Sequence, residues 1–258
     1  MSGTRSLGFY GASYLRLLTT FRNGLAIALA HHQRAGYDQA VLWNGRALRN
    51  APGRTGLPET IVEVYGMRAY TRNGFYDPKA THTVLDIGAN VGIFSIWLAH
   101  QAPGIRVLAF EPFEENFAAL KMNASHWRGI EVYPYAVGGS HGSASMRAVG
   151  ERSIDHQLDR ARKGDVTVLT LSEVADLAGA DTTIDLLKMD IEGSEADVFE
   201  HGQSPDLMRR FRKIAIEWHE HLRAGVLDLL KTRLRPTHEI VAAQADDARY
   251  GLLQAIAR

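Results

Sequence analysis

Leu85-Asp86-Ile87-Gly88-Ala89-Asn90-Val91-Gly92 is the stretch that decides how this chain is read. It continues an apolar, β-branched run from Thr83 and leads into Ile93 to His100, whose apolar residues suit a buried helix. A strand, a glycine turn and a helix in that order open a βα unit. Glycines at 88 and 92 let the backbone turn sharply and approach a ligand closely, because no Cβ intervenes. The spacing is not G-x-G-x-x-G, so the dinucleotide fingerprint is missing and an NAD-dependent oxidoreductase is a secondary reading. Asp86, just before the turn, suits a ligand that carries positive charge.

Working outward, the same texture repeats. Strand-like runs occupy Arg106 to Phe110, Ile130 to Tyr133, Ile184 to Met189 and Lys213 to Trp218. Helical runs lie between them at Glu114 to Ser125, Leu171 to Leu177 and Ala196 to His201. Strands joined by helical crossovers imply a mostly parallel, twisted sheet with helices on both faces, an α/β fold. Glu239 to Ala243 and Gly251 to Ile256 suit a closing antiparallel pair. Gly138 to Val166 is polar and reads as an irregular connection or as a lid that selects substrate. Residues 81–258 form the expected main domain.

Residues 1–80 form an extension of helices and short strands, suited to a cap, a lid or a contact in a homo-oligomer. Phe9, Leu17, Leu18, Phe21, Leu25 and Leu29 recur at helical spacing, with Asn23-Gly24 as a break. Gln39 to Asn50 is strand-like, and Glu59 to Tyr70 suits a helix with Pro58 at its first turn. The apolar run Leu25 to Ala30 is too short to span a bilayer and lacks the flanks of a signal peptide, so the expected location is cytoplasmic.

Composition narrows the function classes. Lys+Arg and Asp+Glu number 29 each, so no global field attracts a polyanion, and neither nucleic acid nor a membrane is the expected partner. The 258 residues hold no cysteine, which removes disulfides, thiolate catalysis and Cys-ligated zinc. An apolar fraction of 45% supports a globular core.

The second strand ends Phe110-Glu111-Pro112, and a carboxylate there can accept both hydroxyls of a ribose. Together with Asn116, Asn123, Ala136-Val137-Gly138 and Lys188-Met189-Asp190-Ile191-Glu192-Gly193-Ser194-Glu195, these blocks resemble the FkbM family of methyltransferases over roughly Leu57 to Val241. The resemblance implies a Rossmann-like class I methyltransferase fold. It also implies S-adenosylmethionine as cofactor and methylation of a hydroxyl on a sugar or polyketide, as in natural product biosynthesis. S-adenosylmethionine has an ammonium, a sulfonium and no pyrophosphate, in keeping with the turn. Asp86, Gly88, Ala89, Asn90, Gly92, Glu111, Pro112, Asn116, Ala136 and Asp190 are the expected cofactor residues. Ser172 departs from the family, which commonly has Asp there. A non-catalytic module that holds the adenosyl ligand is the remaining rival.

The reacting end belongs at the carboxyl ends of the fourth and fifth strands. Lys188, Asp190 and Glu192 share one side by strand alternation, as do Glu217 and His219. Lys188 is expected to pair with an acid, leaving Asp190 and Glu192 at the cleft edge. Methyl transfer to a hydroxyl benefits from a base, for which His219 is the first candidate and Asp190 the second. Alternatively Asp190, Glu192, Glu217 and His219 gather a divalent cation such as magnesium, a reading not favoured at this point. Ser194 suits a helix cap with Glu195 complementing the helix dipole. Arg152, Ser153 and His156 are candidates to contact a small hydroxylated acceptor.

Overall fold

The computed structural model describes residues 7–80, 82–148, 156–159, 164–245 and 249–258. The chain opens with helices α1 (Leu7–Thr20) and α2 (Gly24–Gln33) and a hairpin of β1 (Gln39–Val41) and β2 (Ala47–Arg49). Helix α3 (Leu57–Ile61) runs directly into a π-helical segment, Val62–Met67, and then into 3₁₀ turns. Next come β3 (Thr83–Ile87), α4 (Ile93–Gln101), β4 (Arg106–Phe110), α5 (Glu114–Ala124) and β5 (Ile130–Tyr133). Four strands follow, β6 (Ala136–Gly138), β7 (Gly142–Ala148), β8 (His156–Asp159) and β9 (Val166–Thr170), then helix α6 (Leu171–Leu177). The last third holds β10 (Leu186–Met189), α7 (Glu195–Glu200), α8 (Pro205–Arg209), β11 (Lys213–His219) and α9 (Val226–Leu234). It closes on β12 (His238–Ala245) and β13 (Tyr250–Ala257).

The main sheet has the order β12-β13-β11-β10-β3-β4-β5 and is parallel except at β13, which runs against both its neighbours. After β3 the chain builds outward through β4 and β5, then returns to lay β10 on the other side of β3. That reversal opens a crevice at the carboxyl ends of β3 and β10, where ligands bind in sheets of this kind. Both faces of the sheet are covered. Val84 joins one apolar cluster with Leu17, Phe21, Ile27 and Trp97. Its neighbour Leu85 points the other way, into a cluster with Leu187, Phe199 and Leu230. Two-sided burial explains why the central strands read as continuous apolar runs rather than alternating ones.

Several expectations need correction. The break at Asn23 resets the helical phase, so Leu17 and Phe21 are buried while Leu18, Leu25 and Leu29 are exposed and Ile27 takes the inward place. Glu59 to Tyr70 is not one helix, because the chain widens to a π turn after Ile61 and Arg68 ends it with a positive φ of 54°. Nor is Gly138 to Val166 an irregular connection. Its described residues enter a second sheet of order β6-β9-β7-β8. Alternation there is weak, and the pairing partners lie up to tens of residues apart, so periodicity does not reveal it. Among the described residues no helix is long and apolar enough to cross a membrane.

Candidate active site

The glycine turn is built as its residue types require. Gly88 has a φ of 77°, and a Cβ on it would lie 1.7 Å from the carbonyl oxygen of Asp190. Only glycine lets β3 and the end of β10 come this close. Asn90 also adopts a left-handed conformation, at a φ of 52°, which asparagine tolerates better than most residues. Gly88 and Ala89 donate their backbone N–H groups to the Phe110 carbonyl, tying the turn to the end of β4.

Glu111 completes that tie. One carboxylate oxygen accepts the Asn90 N–H at 2.8 Å and the other accepts the Phe113 N–H at 2.9 Å. Burial raises its pKa to about 7, against the lowering effect of those two hydrogen bonds. The turn, Glu111, Pro112 and Asn116 form one wall of an open cleft of about 600 Å³. Tyr135, Ala136, Met146, Leu158, Asp190, Glu192 and Ser194 line it as well.

Asp86 does not line the cleft. It is fully buried beneath the turn, where Ser95 donates to it at 2.6 Å and the Lys188 ammonium lies 3.1 Å away. Lys188 also donates to the Gly88 carbonyl at 2.7 Å. Burial opposes the charge on Lys188, yet Asp86 and then Asp190 hold its pKa above the usual lysine value. The expectation that Lys188 pairs with an acid holds, and the partner is Asp86. Asp86 therefore fixes the turn instead of meeting a ligand's ammonium. Gly92 and Ala89 are likewise buried and shape the turn from below.

Asp190 and Glu192, which line the cleft next to the glycine turn, meet His219, with Glu217 beside it. Ligating atoms of Asp190, Glu192 and His219 all lie within 4.8 Å of one another. His219 is 4% exposed, with Nδ1 2.9 Å from a carboxylate oxygen of Glu195, which is itself fully buried. Its Nε2 faces Glu192 at 3.4 Å and Glu217 at 3.9 Å. Burial disfavours the imidazolium, but the Glu195 hydrogen bond and the charges of Glu195, Asp190 and Glu192 prevail and raise the pKa to about 9. Burial pushes Glu217 well above the usual carboxyl value, and the charges of Asp190, Glu63 and Glu192 add to it. His219 was the first candidate for a base because free imidazole titrates near neutrality. Those acidic neighbours favour the protonated ring, which makes His219 a weaker candidate for the base than Asp190.

Glu195 opens α7, in the first turn where an acid complements the helix dipole, and it also accepts from the Gly193 N–H and lies at hydrogen-bond distance from the His219 ring. Ser194 occupies the cap position without a capping hydrogen bond and lines the cleft. Strand alternation stops at Met189, since Glu192 and Gly193 both have positive φ, and the turn rather than the strand brings Glu192 to His219. Ser172 is exposed in the first turn of α6, whose capping box is made by Thr170 and Glu173. Trp218 is core, and His221 is exposed beyond β11. Arg152 and Ser153 lie outside the described residues, and His156 is described only as the first residue of β8.

Sequence reasoning missed Tyr135, Met146 and Leu158 in the cleft wall and Glu195 behind His219. It also missed Tyr70, a buried phenol whose ring centre is 5.8 Å from the Lys188 ammonium. Burial raises its pKa well above the usual value, with nearby acids including Glu63 and Asp190 adding to the effect. No spacing signal links residues so far apart in the chain.

Residues 86–236 match the family described as "Methyltransferase FkbM domain". The chain is 30% identical over 192 residues to the 31-O-demethyl-FK506 methyltransferase FkbM of Streptomyces tacrolimicus, covering 61% of this chain and 73% of that one. It is 30% identical over 217 residues to the AMB antimetabolite synthetase AmbE of Pseudomonas aeruginosa, covering 67% of this chain but 10% of that much longer protein. Among solved structures, the ribosomal protein L11 methylase of Lactobacillus delbrueckii subsp. bulgaricus aligns over 82% of this chain and 85% of its own, with a TM-score of 0.47 and 16% identity. The sheet has the Rossmann-like arrangement of class I methyltransferases. The matched span begins at Asp86 and takes in the glycine turn, Glu111, Asp190 and His219, and by that match over more than half its length the chain belongs to the FkbM methyltransferase family.

Proposed function

We propose that this protein is an S-adenosylmethionine-dependent O-methyltransferase acting on a hydroxyl of a sugar or polyketide-type natural product. One observation carries the reading: the cleft walled by the glycine turn and Glu111 ends at Asp190 and Glu192, which belong to the same acidic cluster as His219. A nucleoside site thus adjoins groups able to handle the proton of a hydroxyl. The donor set fits the cofactor. Glu111, buried but open to the cleft, is an acceptor for two ribose hydroxyls, and the acidic end suits an ammonium and a sulfonium. When bound, S-adenosylmethionine supplies an electrophilic methyl group.

The chain's own residues supply placement and a proton acceptor. The rigid turn and Glu111 hold the adenosine end, so that a hydroxyl at the Asp190 end is presented at short range. Such placement accelerates a two-substrate reaction strongly. Asp190 is the better-placed base, because Oδ1 is buried without a hydrogen-bond partner among the described residues. It would take the hydroxyl proton as the oxygen lone pair bonds to the methyl carbon and the carbon–sulfur bond breaks, its electron pair returning to sulfur to leave the neutral thioether S-adenosylhomocysteine. The relative from S. tacrolimicus is named for an O-demethyl substrate, which favours oxygen as the acceptor atom. A small acceptor, with no nucleic acid or membrane partner, agrees with the balanced charge.

Thermal unfolding with S-adenosylhomocysteine, and with NAD as the control, tests the cofactor. A ligand at 100 times its Kd adds about 2.7 kcal/mol, or several degrees at ~2–4 °C per kcal/mol for a chain this size. A shift with NAD alone replaces this reading with a dehydrogenase. Asp190→Asn should lower kcat on a hydroxylated acceptor by about 10²–10⁴-fold with the cofactor shift retained. Tight cofactor binding with no turnover of any hydroxylated acceptor marks a binding module instead.

A further inference from the structure

The two nitrogens of His219 are treated differently. Nδ1 is held at hydrogen-bond distance by Glu195, a fully buried carboxylate with no exposure of its own. Nε2 makes no hydrogen bond among the described residues and faces carboxylate oxygens at 3.4 and 3.9 Å. A charge-assisted N–H···O bond is about 2.7–2.9 Å long, so the Glu192 contact is too long to be a good one. It lies near the ~3 Å that separates adjacent ligands around a six-coordinate cation with bonds of about 2.1 Å. An imidazole clamped through one nitrogen by a carboxylate, with the other aimed at oxygen donors, is how metal-bound histidines are held in orientation.

A second observation points the same way. Asp190 Oδ1 is buried with no hydrogen-bond partner among the described residues, although its group stands within 4.8 Å of the Glu192 and His219 ligating atoms. A bare buried carboxylate oxygen is costly. Lys188, the nearby cation on the adjoining strand, is already committed to Asp86 and the Gly88 carbonyl.

We infer that Asp190, Glu192 and His219 form a divalent cation site at the end of the cofactor cleft. Two carboxylates and one imidazole suit manganese best, with magnesium as the all-oxygen-preferring competitor. Glu195 is the positioning residue, setting the ring so that Nε2 gives its lone pair to the metal and its proton to solvent. The remaining coordination positions face the cleft and take water or an oxygen of the acceptor. That last point rests on the function proposed above, and the cation site itself does not.

The test titrates Mn²⁺ into the whole protein, following loss of the free-ion electron paramagnetic resonance signal and the nitrogen hyperfine coupling of the bound ion. One Mn²⁺ per chain with coupling to one imidazole nitrogen is expected. Glu192→Gln should bind at least tenfold more weakly. His219→Gln should bind more weakly and lose the nitrogen coupling. Glu192 is partly exposed, so its variant should fold even where His219→Gln does not. No bound Mn²⁺, or binding unchanged in Glu192→Gln, overturns the site. Mn²⁺ binding without any shift from S-adenosylhomocysteine leaves the cation site standing and removes the methyltransferase reading instead.

Discussion

Glu111 is the residue at which charge and ligand recognition meet. Its carboxyl titrates at about 7 because it is buried, while ribose hydroxyls bind it as donors to the ionised form. Affinity for S-adenosylhomocysteine should therefore rise with pH, the ionised fraction growing about tenfold between pH 6 and pH 8 for a group of pKa near 7. Isothermal titration across that range should show Kd falling by roughly that factor, and Glu111→Gln should flatten the profile. A flat wild-type profile would mean that the ligand does not use this carboxylate. Gly88 tests the turn in a different way. Gly88→Ala puts a Cβ 1.7 Å from the Asp190 carbonyl oxygen, whereas Gly53, also at positive φ, has nothing within 4 Å. Gly53→Ala should cost about 1–2 kcal/mol of backbone strain. Gly88→Ala should abolish the ligand-induced melting shift or prevent folding, and a normal shift would show that the turn can yield.

At the scale of elements, the decisive joints are turns and helix ends. α5 provides Asn123, whose side chain accepts from the Arg49 N–H and donates to the carbonyls of Arg49 and Val91. One buried amide thereby staples the β1–β2 hairpin to the start of α4, beside the cofactor turn. Asn123→Ala strips partners from buried backbone groups and should cost about 1–3 kcal/mol. Denaturant unfolding should show the midpoint falling at constant slope; a loss below 0.5 kcal/mol would mean that the hairpin hardly depends on the staple. The turn from β10 to α7 matters equally. Positive φ at Glu192 and Gly193 reverses the chain and sets Glu192 against His219, while α7 begins at once with Glu195. The π segment after α3 also matters, setting Tyr65 against Phe21 and bringing Glu63 close enough to raise the pKa values of Tyr70 and Glu217.

The whole molecule shares one framework. Leu17 from α1 and Phe21 just beyond its end belong to the same buried cluster as Val84, Val107, Leu186 and Ala215 from the sheet. The N-terminal segment therefore covers one face of the sheet that bears the site. Phe21 also meets Tyr65 edge-on, with ring centres 4.9 Å apart. Phe21→Ala should cost about 3–5 kcal/mol and lower the melting temperature of the entire chain in a single transition. Two separate transitions by near- and far-ultraviolet circular dichroism would instead mark residues 7–80 as an independent unit. Much of this framework is legible in the chain: the strand-helix alternation, the glycine turn and the closing pair lie where local pattern places them. The β6-β9-β7-β8 sheet and the inward face of α2 were not, because their partners are remote and their alternation is weak.

The sequence by itself determined the order of strands and helices, the glycine turn and the acid at the end of the second strand. These depend on local rules: two-sided burial makes a strand apolar, a close approach excludes a Cβ, and a strand end presents its last side chain to the cleft. Only the tertiary structure decided that Asp86 is sealed beneath Lys188, that Glu195 stands behind His219 and that Asp190 and Glu192 gather around the same ring. Those outcomes depend on which charges fold brings within a few ångströms and how much water it removes, and neither quantity is written in the spacing of residues along the chain.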